Sequence, residues 1–191
     1  MTTVSIIGPG AMGQAIASVV SRGGNDVQVL GREDADTPVR GDIVVLAVNY
    51  SDVDQIVAER GDQLAGRVVV DITNPVNQET FDGLVVPADG SAAQELSQRL
   101  PQSTVLKAFN TTFAGTLAAG TVGPLTTTVL VAGDDQTAKQ ALIDVVKAGG
   151  LNAIDAGSLK RAREMEAFGF LQISLAAAEK VAWTGGFGIV A

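Results

Sequence analysis

Gly8-Pro9-Gly10-Ala11-Met12-Gly13 is the part of the chain where residue type and spacing first point to chemistry. It fits G-x-G-x-x-G. It ends a β-branched run, Thr3 to Gly8 (TVSIIG), and opens Ala11 to Arg22, where apolar residues recur at helical spacing. In that strand–turn–helix setting the pattern reads as a dinucleotide-binding turn. The first glycine permits the tight turn, and the second lets a pyrophosphate approach the backbone. The third lets helix and strand pack closely, while the helix N-terminus attracts the phosphate. A second signal stands at the end of the next strand, Asp26 to Leu30, where Gly31 and Arg32 follow. NAD-preferring folds place an Asp or Glu there. A carboxylate would repel a 2′-phosphate, whereas a guanidinium binds one through charge-assisted hydrogen bonds. Arg32 therefore favours NADP over NAD, although Glu33, Asp34 and Asp36 crowd the same loop and either face solvent or, for Glu33, bind ribose.

The rest of the composition removes most acid–base chemistry. The chain has no Cys and no His, so it offers neither a thiolate nor an imidazole, and no metal site is expected. Its one Tyr is Tyr50, and position 54 is Asp54, so a Tyr–Lys dehydrogenase couple is absent. Lys107, near the C-terminal end of a central strand, reads equally as a surface lysine or as a site residue. Hydride transfer between two bound flat rings needs no strong acid or base; it needs orientation and exclusion of water. Three neutral strand ends suit such a transfer. They are Ala47-Val48-Asn49-Tyr50, Thr73-Asn74-Pro75 and Ala108-Phe109-Asn110-Thr111, with Gly-rich Thr184 to Gly188 closing the top. No side chain is assigned a catalytic acid–base role.

These positions need a scaffold. Strand patterns at Thr3–Gly8, Asp26–Leu30, Asp42–Val48, Arg67–Ile72, Thr104–Phe109, Thr127–Ala132 and Asn152–Asp155 alternate with helical ones. Helices are expected from Ser51 (as N-cap), over Ser91–Leu100, and over Asp135–Ala148. This predicts an α/β fold, a Rossmann-like doubly wound parallel sheet. Only about ten residues separate Arg32 from the strand at Asp42, too few for the helix and strand that usually follow. The strand at 26–30 should therefore be a sheet edge. The domain reading is an NADP-binding domain over 1–157, then a C-terminal helix and tail over 158–191. Ser158 to Trp183 reads as one long helix whose apolar content exceeds one face, and we expect it to pack on the sheet and on a second copy, making a homodimer. Lys160, Arg161 and Arg163 oppose the dipole at its start; they either bind an anion or, as favoured, pair with Glu164, Glu166 and Asp155. With a net charge of -8, nucleic acid is not an expected partner. No signal-peptide or membrane-spanning pattern is evident, and a cytoplasmic location is expected.

GPGAMG, the Gly-Arg step, AVNY, VVDITNP, LKAFNTT and DAGSLKRAREMEA follow one another as in the coenzyme F-420-dependent NADP oxidoreductase family, which the chain resembles over nearly its whole length. The resemblance implies hydride transfer between NADPH and a deazaflavin, with the last helix building a homodimer. It implies that Pro9 to Met12 hold the pyrophosphate and Gly31-Arg32 the 2′-phosphate. Val48 to Tyr50 would line the nucleotide, and Asn74-Pro75 and Phe109-Asn110 would flank the nicotinamide. The family usually has Ser where Gly31 stands and a longer segment after the second strand. Members from organisms without deazaflavin need another acceptor, such as a flavin, a quinone or a metal chelate. The alternative readings are a non-catalytic NADP-binding or redox-sensing module and, ranked last, a truncated hydroxyacid or imine reductase of the 6-phosphogluconate dehydrogenase type.

Overall fold

A computed structural model describes residues 1–190. The β-branched runs form one seven-stranded sheet. Its first five strands are β1 (Thr3–Ile7), β2 (Asp26–Leu30), β3 (Ile43–Leu46), β4 (Val68–Asp71) and β5 (Thr104–Ala108). They run parallel in the order β2-β1-β3-β4-β5. α1 (Ala11–Arg22), α4 (Ala114–Ala119) and α5 (Gln136–Ala148) cover one face. α2 (Val53–Leu64), α3 (Ala92–Arg99) and the start of α6 (Ala162–Ala177) cover the other. Burial on both faces explains why the strands read as continuous apolar runs. Along β1 the side chains alternate, with Val4 and Ile6 in the α1/α5 core and Ile7 in the α2/α3 core.

The sheet is mostly, not wholly, parallel. β8 (Thr128–Gly133) runs antiparallel to β5, and β9 (Asn152–Gly157) runs parallel to β8. The cause lies in the preceding segment, where the sequence pattern predicts no element. α4 has six residues, about 9 Å of helix, too short to carry the chain back across the sheet. It ends at Gly120 in the left-handed region. The hairpin β6 (Thr121–Val122) and β7 (Leu125–Thr126) then turns the chain at the edge where the parallel strands finish. β9 thus ends midway down the sheet, opposite Ala132, so the last helix can climb back towards the strand ends.

β2 is the sheet edge, and only a 3-10 turn (Arg32–Asp34) and a loop fill the space to β3. Polar side chains hold that loop where a strand would have held it with ladder bonds. Ser5 Oγ donates to Gln28 Oε1 (2.6 Å) and accepts from the Gly41 N–H (2.8 Å). Gln28 Nε2 donates to Pro38 O (2.9 Å). Arg67 donates to the carbonyls of Val39, Arg40 and Gly41.

The helices expected over Ser91–Leu100 and Asp135–Ala148 form, and Ser91 and Asp135 cap them, accepting from the N–H groups of Gln94 and Ala138. Ser51 does not: it sits inside a 3-10 turn, Tyr50–Asp52, and α2 begins at Val53 without a side-chain cap. The last helix is also shorter than the expected 158–183. A 3-10 turn, Leu159–Arg161, precedes it, and it stops at Ala177. Glu179 adopts the left-handed conformation (φ 58°). The Lys180 N–H reaches Leu175 O (2.8 Å) and the Glu179 N–H reaches Ala176 O (3.0 Å), the two bonds of a Schellman ending. The turned chain gains contacts that a straight helix would lose: Trp183 packs on Phe113 at 5.0 Å and Phe187 on Phe168 at 5.1 Å. Met165 aside, the buried stripe of α6 is small or polar (Ala162, Glu166, Gly169, Gln172 and Ala176), while Phe168 and Leu171 are exposed. Among the described residues no helix is long and apolar enough to cross a membrane.

Candidate active site

A cleft of about 730 Å³ opens beyond the C-terminal ends of β1, β2, β3 and β4, the usual ligand position in such sheets. It is lined by Gly8, Pro9, Gly10, Ala11 and Met12, by Gly31 and Arg32, by Val48, Asn49 and Tyr50, and by Asn74. Gly13, Pro75, Phe109 and Asn110 lie behind this lining rather than in it.

The three motif glycines do different jobs. Gly8 has φ 118°, and a Cβ there would run into the Ala47 carbonyl oxygen. A Cβ on Gly13 would run into the Gly8 carbonyl oxygen. Both are thus explained by packing inside the protein. Gly10 is not: its φ is -68°, and a Cβ would meet nothing within 4 Å. It borders the cleft at the start of α1, where no side chain caps the first turn. A helix N-terminus with uncapped N–H groups and an open approach fits a pyrophosphate.

At the second strand end the Gly31 N–H is taken by Asp34 Oδ2 (2.8 Å). Glu33 folds over Gly31, so a Cβ at that position would lie 2.6 Å from its carboxylate oxygen. Arg32 reaches into solvent, its side chain 90% exposed and 4.0 Å from Asp52. It is thus free to turn onto a ligand phosphate. Sequence reasoning missed the α2 side of the cleft, where Gln55, Ile56, Glu59 and Arg60 contribute, and also Gln78 and Ile173. The helical spacing of the α2 residues is visible in the sequence, but nothing in it tells which face of α2 meets the cleft.

Asn74 and Asn110 clasp one another. Asn110 Nδ2 donates to Asn74 Oδ1 (2.9 Å) and to Met165 O (2.9 Å), and Asn74 Nδ2 donates to Asn110 O (3.1 Å). Gly169 of α6 packs directly on this pair: a Cβ there would collide with Asn74 Oδ1 and come within 2.8 Å of Asn110 O. Phe109 is in the left-handed region (φ 64°), 1% exposed, with its ring in the α1/α5 core. It shapes the turn from behind rather than facing the cleft.

Lys107, left open by the sequence, is neither at the surface nor in the cleft. It is fully buried. Its Nζ lies 2.8 Å from Asp71 Oδ2 and 2.8 Å from Glu166 Oε1, and it donates to Thr73 O. Glu166 also accepts from the N–H groups of Ala92 (2.9 Å) and Ala93 (3.3 Å), the start of α3. Glu166 therefore does not pair with Arg163. Asp155 pairs with Lys139 (2.8 Å), and of the basic cluster Arg161 alone has a carboxylate within ion-pair distance among the described residues, Glu164 at 3.6 Å. Burial pushes the Glu166 carboxyl up, with Lys107 opposing it. Burial and the bond to Glu95 push the Tyr50 phenol up. Tyr50 donates to Glu95 Oε2 (2.7 Å) and remains a neutral phenol at ordinary pH. The Lys139 and Gly157 bonds hold Asp155 down.

A family profile described as "NADP oxidoreductase coenzyme F420-dependent" matches residues 26–75. The chain is 30% identical over 171 residues to the F420-dependent NADP reductase of Methanocaldococcus jannaschii, covering 87% of this chain and 76% of that protein. It is 39% identical over 106 residues to the metalloreductase STEAP3 of Rattus norvegicus, 56% of this chain and 20% of that protein. A crystal structure from Arthrobacter sp. FB24 superimposes with a TM-score of 0.84 at 23% identity, covering 100% of both chains. An imine reductase from Bacillus cereus superimposes at 0.67 with 16% identity, covering 94% of this chain and 62% of that one. At these identities the two structures speak to the fold alone.

Proposed function

The chain belongs to the coenzyme F-420-dependent NADP oxidoreductase family, and from that premise we propose that it transfers a hydride between NADP(H) and a flat redox acceptor, a deazaflavin or a flavin. One observation carries the reading furthest. Gly10 is required by nothing inside the protein, yet it stands at an uncapped helix start on the cleft. That glycine is explained by a ligand phosphate that needs the backbone bare.

In this reading Pro9 to Met12 hold the pyrophosphate, and Gly31 and Arg32 hold the 2′-phosphate end. Val48 to Tyr50 line the nucleotide. Asn74 faces the nicotinamide from the cleft wall, with Pro75 beside it, while Asn110 and Phe109 fix the Asn74 turn from behind. The bound nicotinamide supplies the hydride. The chain's own residues orient the ring, exclude water and keep competing acids and bases away. Tyr50 serves as a neutral wall because its hydroxyl is committed to Glu95. Residues 1–157 form the nucleotide-binding unit. The C-terminal helix and tail pack on it and, through exposed Phe168 and Leu171 of α6, on a second copy.

The test is a titration with NADPH and NADH on wild type and Arg32→Ala, followed by addition of a deazaflavin or FMN while nicotinamide absorbance is recorded. Preferential NADPH binding, then its oxidation by one of the acceptors, is expected. Tight NADPH binding without oxidation by any deazaflavin, flavin or quinone would replace the enzyme with a non-catalytic binding module. Sedimentation of wild type and Leu171→Asp reads the dimer, and an unchanged monomer in both would remove it.

A further inference from the structure

Among the described residues Arg60 is the one guanidinium that is both buried and part of the cleft wall. It is 4% exposed, and it lines the same end of the cleft as Gly31, Arg32 and Ala35. Its Nη1 donates to Thr37 O (2.9 Å) and its Nη2 donates to Asp34 O. Among the described residues no carboxylate pairs with it. Asp34, two residues beyond Arg32, turns its own carboxylate onto the Gly31 N–H instead.

A buried cation without a counter-charge is costly, and two carbonyl oxygens answer only part of that cost. A guanidinium carries five N–H donors, and these two bonds leave others unengaged. A position like this is stabilised when an anion arrives. Arg32 is the opposite kind of cation: almost fully exposed, free to move and screened by solvent. An exposed charge of that sort contributes little by itself. Arg60 is fixed before any ligand binds, so it loses no side-chain freedom on binding, and its field acts through a less polar medium.

We propose that Arg60 is a specificity-determining residue of the nucleotide cleft, the fixed cation that favours a 2′-phosphorylated adenosine, with Arg32 as the mobile second contact. This rests on the nucleotide reading of the cleft but not on any hydride transfer. The same guanidinium fastens the Arg32–Arg40 loop through Asp34 O and Thr37 O, so a purely structural role must be separated from an electrostatic one.

The adenosine end can be probed alone. Adenosine 2′,5′-bisphosphate and 5′-AMP are titrated calorimetrically into wild type, Arg60→Met, Arg60→Lys and Arg32→Ala, with a thermal melt of each. In wild type the bisphosphate binds at least tenfold more tightly. Arg60→Met weakens the bisphosphate 10-fold or more while 5′-AMP changes less than threefold, and Arg60→Lys restores part of the difference. Equal weakening of both ligands in Arg60→Met, or full bisphosphate preference in it, overturns the proposal and leaves Arg60 a loop fastener. If Arg60→Met does not fold, Arg60→Gln, which keeps an amide donor for the loop carbonyls and removes the charge, decides: full bisphosphate preference in it overturns the proposal. Wild type with no preference between the two ligands removes NADP as the cofactor and this assignment together. A preference abolished by Arg32→Ala but untouched at Arg60 removes only this one.

Discussion

Gly10→Ala separates the ligand's demands from the protein's. The added methyl would meet no protein atom within 4 Å, and φ of -68° suits alanine. Replacing Gly with Ala at a compatible φ gains about 0.4–1 kcal/mol through the unfolded state. Gly10 is the N-cap of α1, where glycine ranks well above alanine, and losing it there costs about 0.5–1 kcal/mol in return. The stability change should therefore stay within about 0.5 kcal/mol of zero. Binding should behave differently. If the methyl displaces a pyrophosphate from one charge-assisted N–H bond, the loss is about 1.5–3 kcal/mol, or roughly 10- to 150-fold in NADPH affinity. Gly13→Ala is the control. Its methyl meets the Gly8 carbonyl oxygen, a backbone atom that cannot swing aside, so overpacking should cost about 1–3 kcal/mol. Urea denaturation and NADPH fluorescence titration on both variants give the four numbers needed. If Gly10→Ala binds NADPH like wild type, or is destabilised as much as Gly13→Ala, the assignment of Gly10 to the phosphate is wrong.

Lys107→Met strands two buried carboxylates, Asp71 and Glu166, and should lower stability by about 3–5 kcal/mol. Adding Asp71→Asn and Glu166→Gln should recover much of it, and no recovery in urea melts would show that the charges are not the cause. The raised Glu166 carboxyl stabilises the fold fully below its unfolded value of about 4.3. That contribution fades as pH rises through the folded value. Wild type minus Glu166→Gln should thus show stability falling as pH rises from about 4.3 towards the raised folded value, and a flat difference in urea midpoints would refute it. Gly169→Ala forces a methyl onto the Asn74–Asn110 pair. It should cost about 1–3 kcal/mol and weaken NADPH binding, and wild-type values for both would show that α6 has room to shift.

What is legible in the sequence is local. The glycine turn, the Gly31-Arg32 step and the short span before β3 are all fixed by spacing along the chain. The helices over 91–100 and 135–148 show in the sequence because their apolar spacing is local, and their caps at Ser91 and Asp135 act within three residues. The rest depends on distant partners. A strand's pattern of apolar residues is the same whichever way it runs, so the reversal of β8 and β9 leaves no trace. Lys107 cannot be placed from sequence because its burial depends on Asp71 and Glu166, which only the fold brings together. The turn that ends α6 is made at Glu179, a residue without the usual Gly or Pro signal, and Trp183 and Phe187 pack back beyond it. Arg60 looks in the sequence like one more charge on a solvated helix face. Only the shortened loop above it makes it a wall of the cleft.

The small, polar inner stripe of α6 also sets an order of events when the chain folds. A helix with bulky apolar residues on its inner face can stick to a half-formed core early and adjust later. This one offers a single bulky apolar residue there, Met165, beside Glu166 and Gly169, and each of the latter two fits only a finished receptor. The carboxylate needs the Lys107 ammonium and the first N–H groups of α3 already in place; the glycine needs the two asparagines already clasped. Docking of this helix is therefore a late, checking step, made by an element synthesised after all the strands it checks. An earlier fault in β4, β5 or α3 should appear as an undocked α6, readable by fast amide exchange across 162–177 while the sheet remains protected.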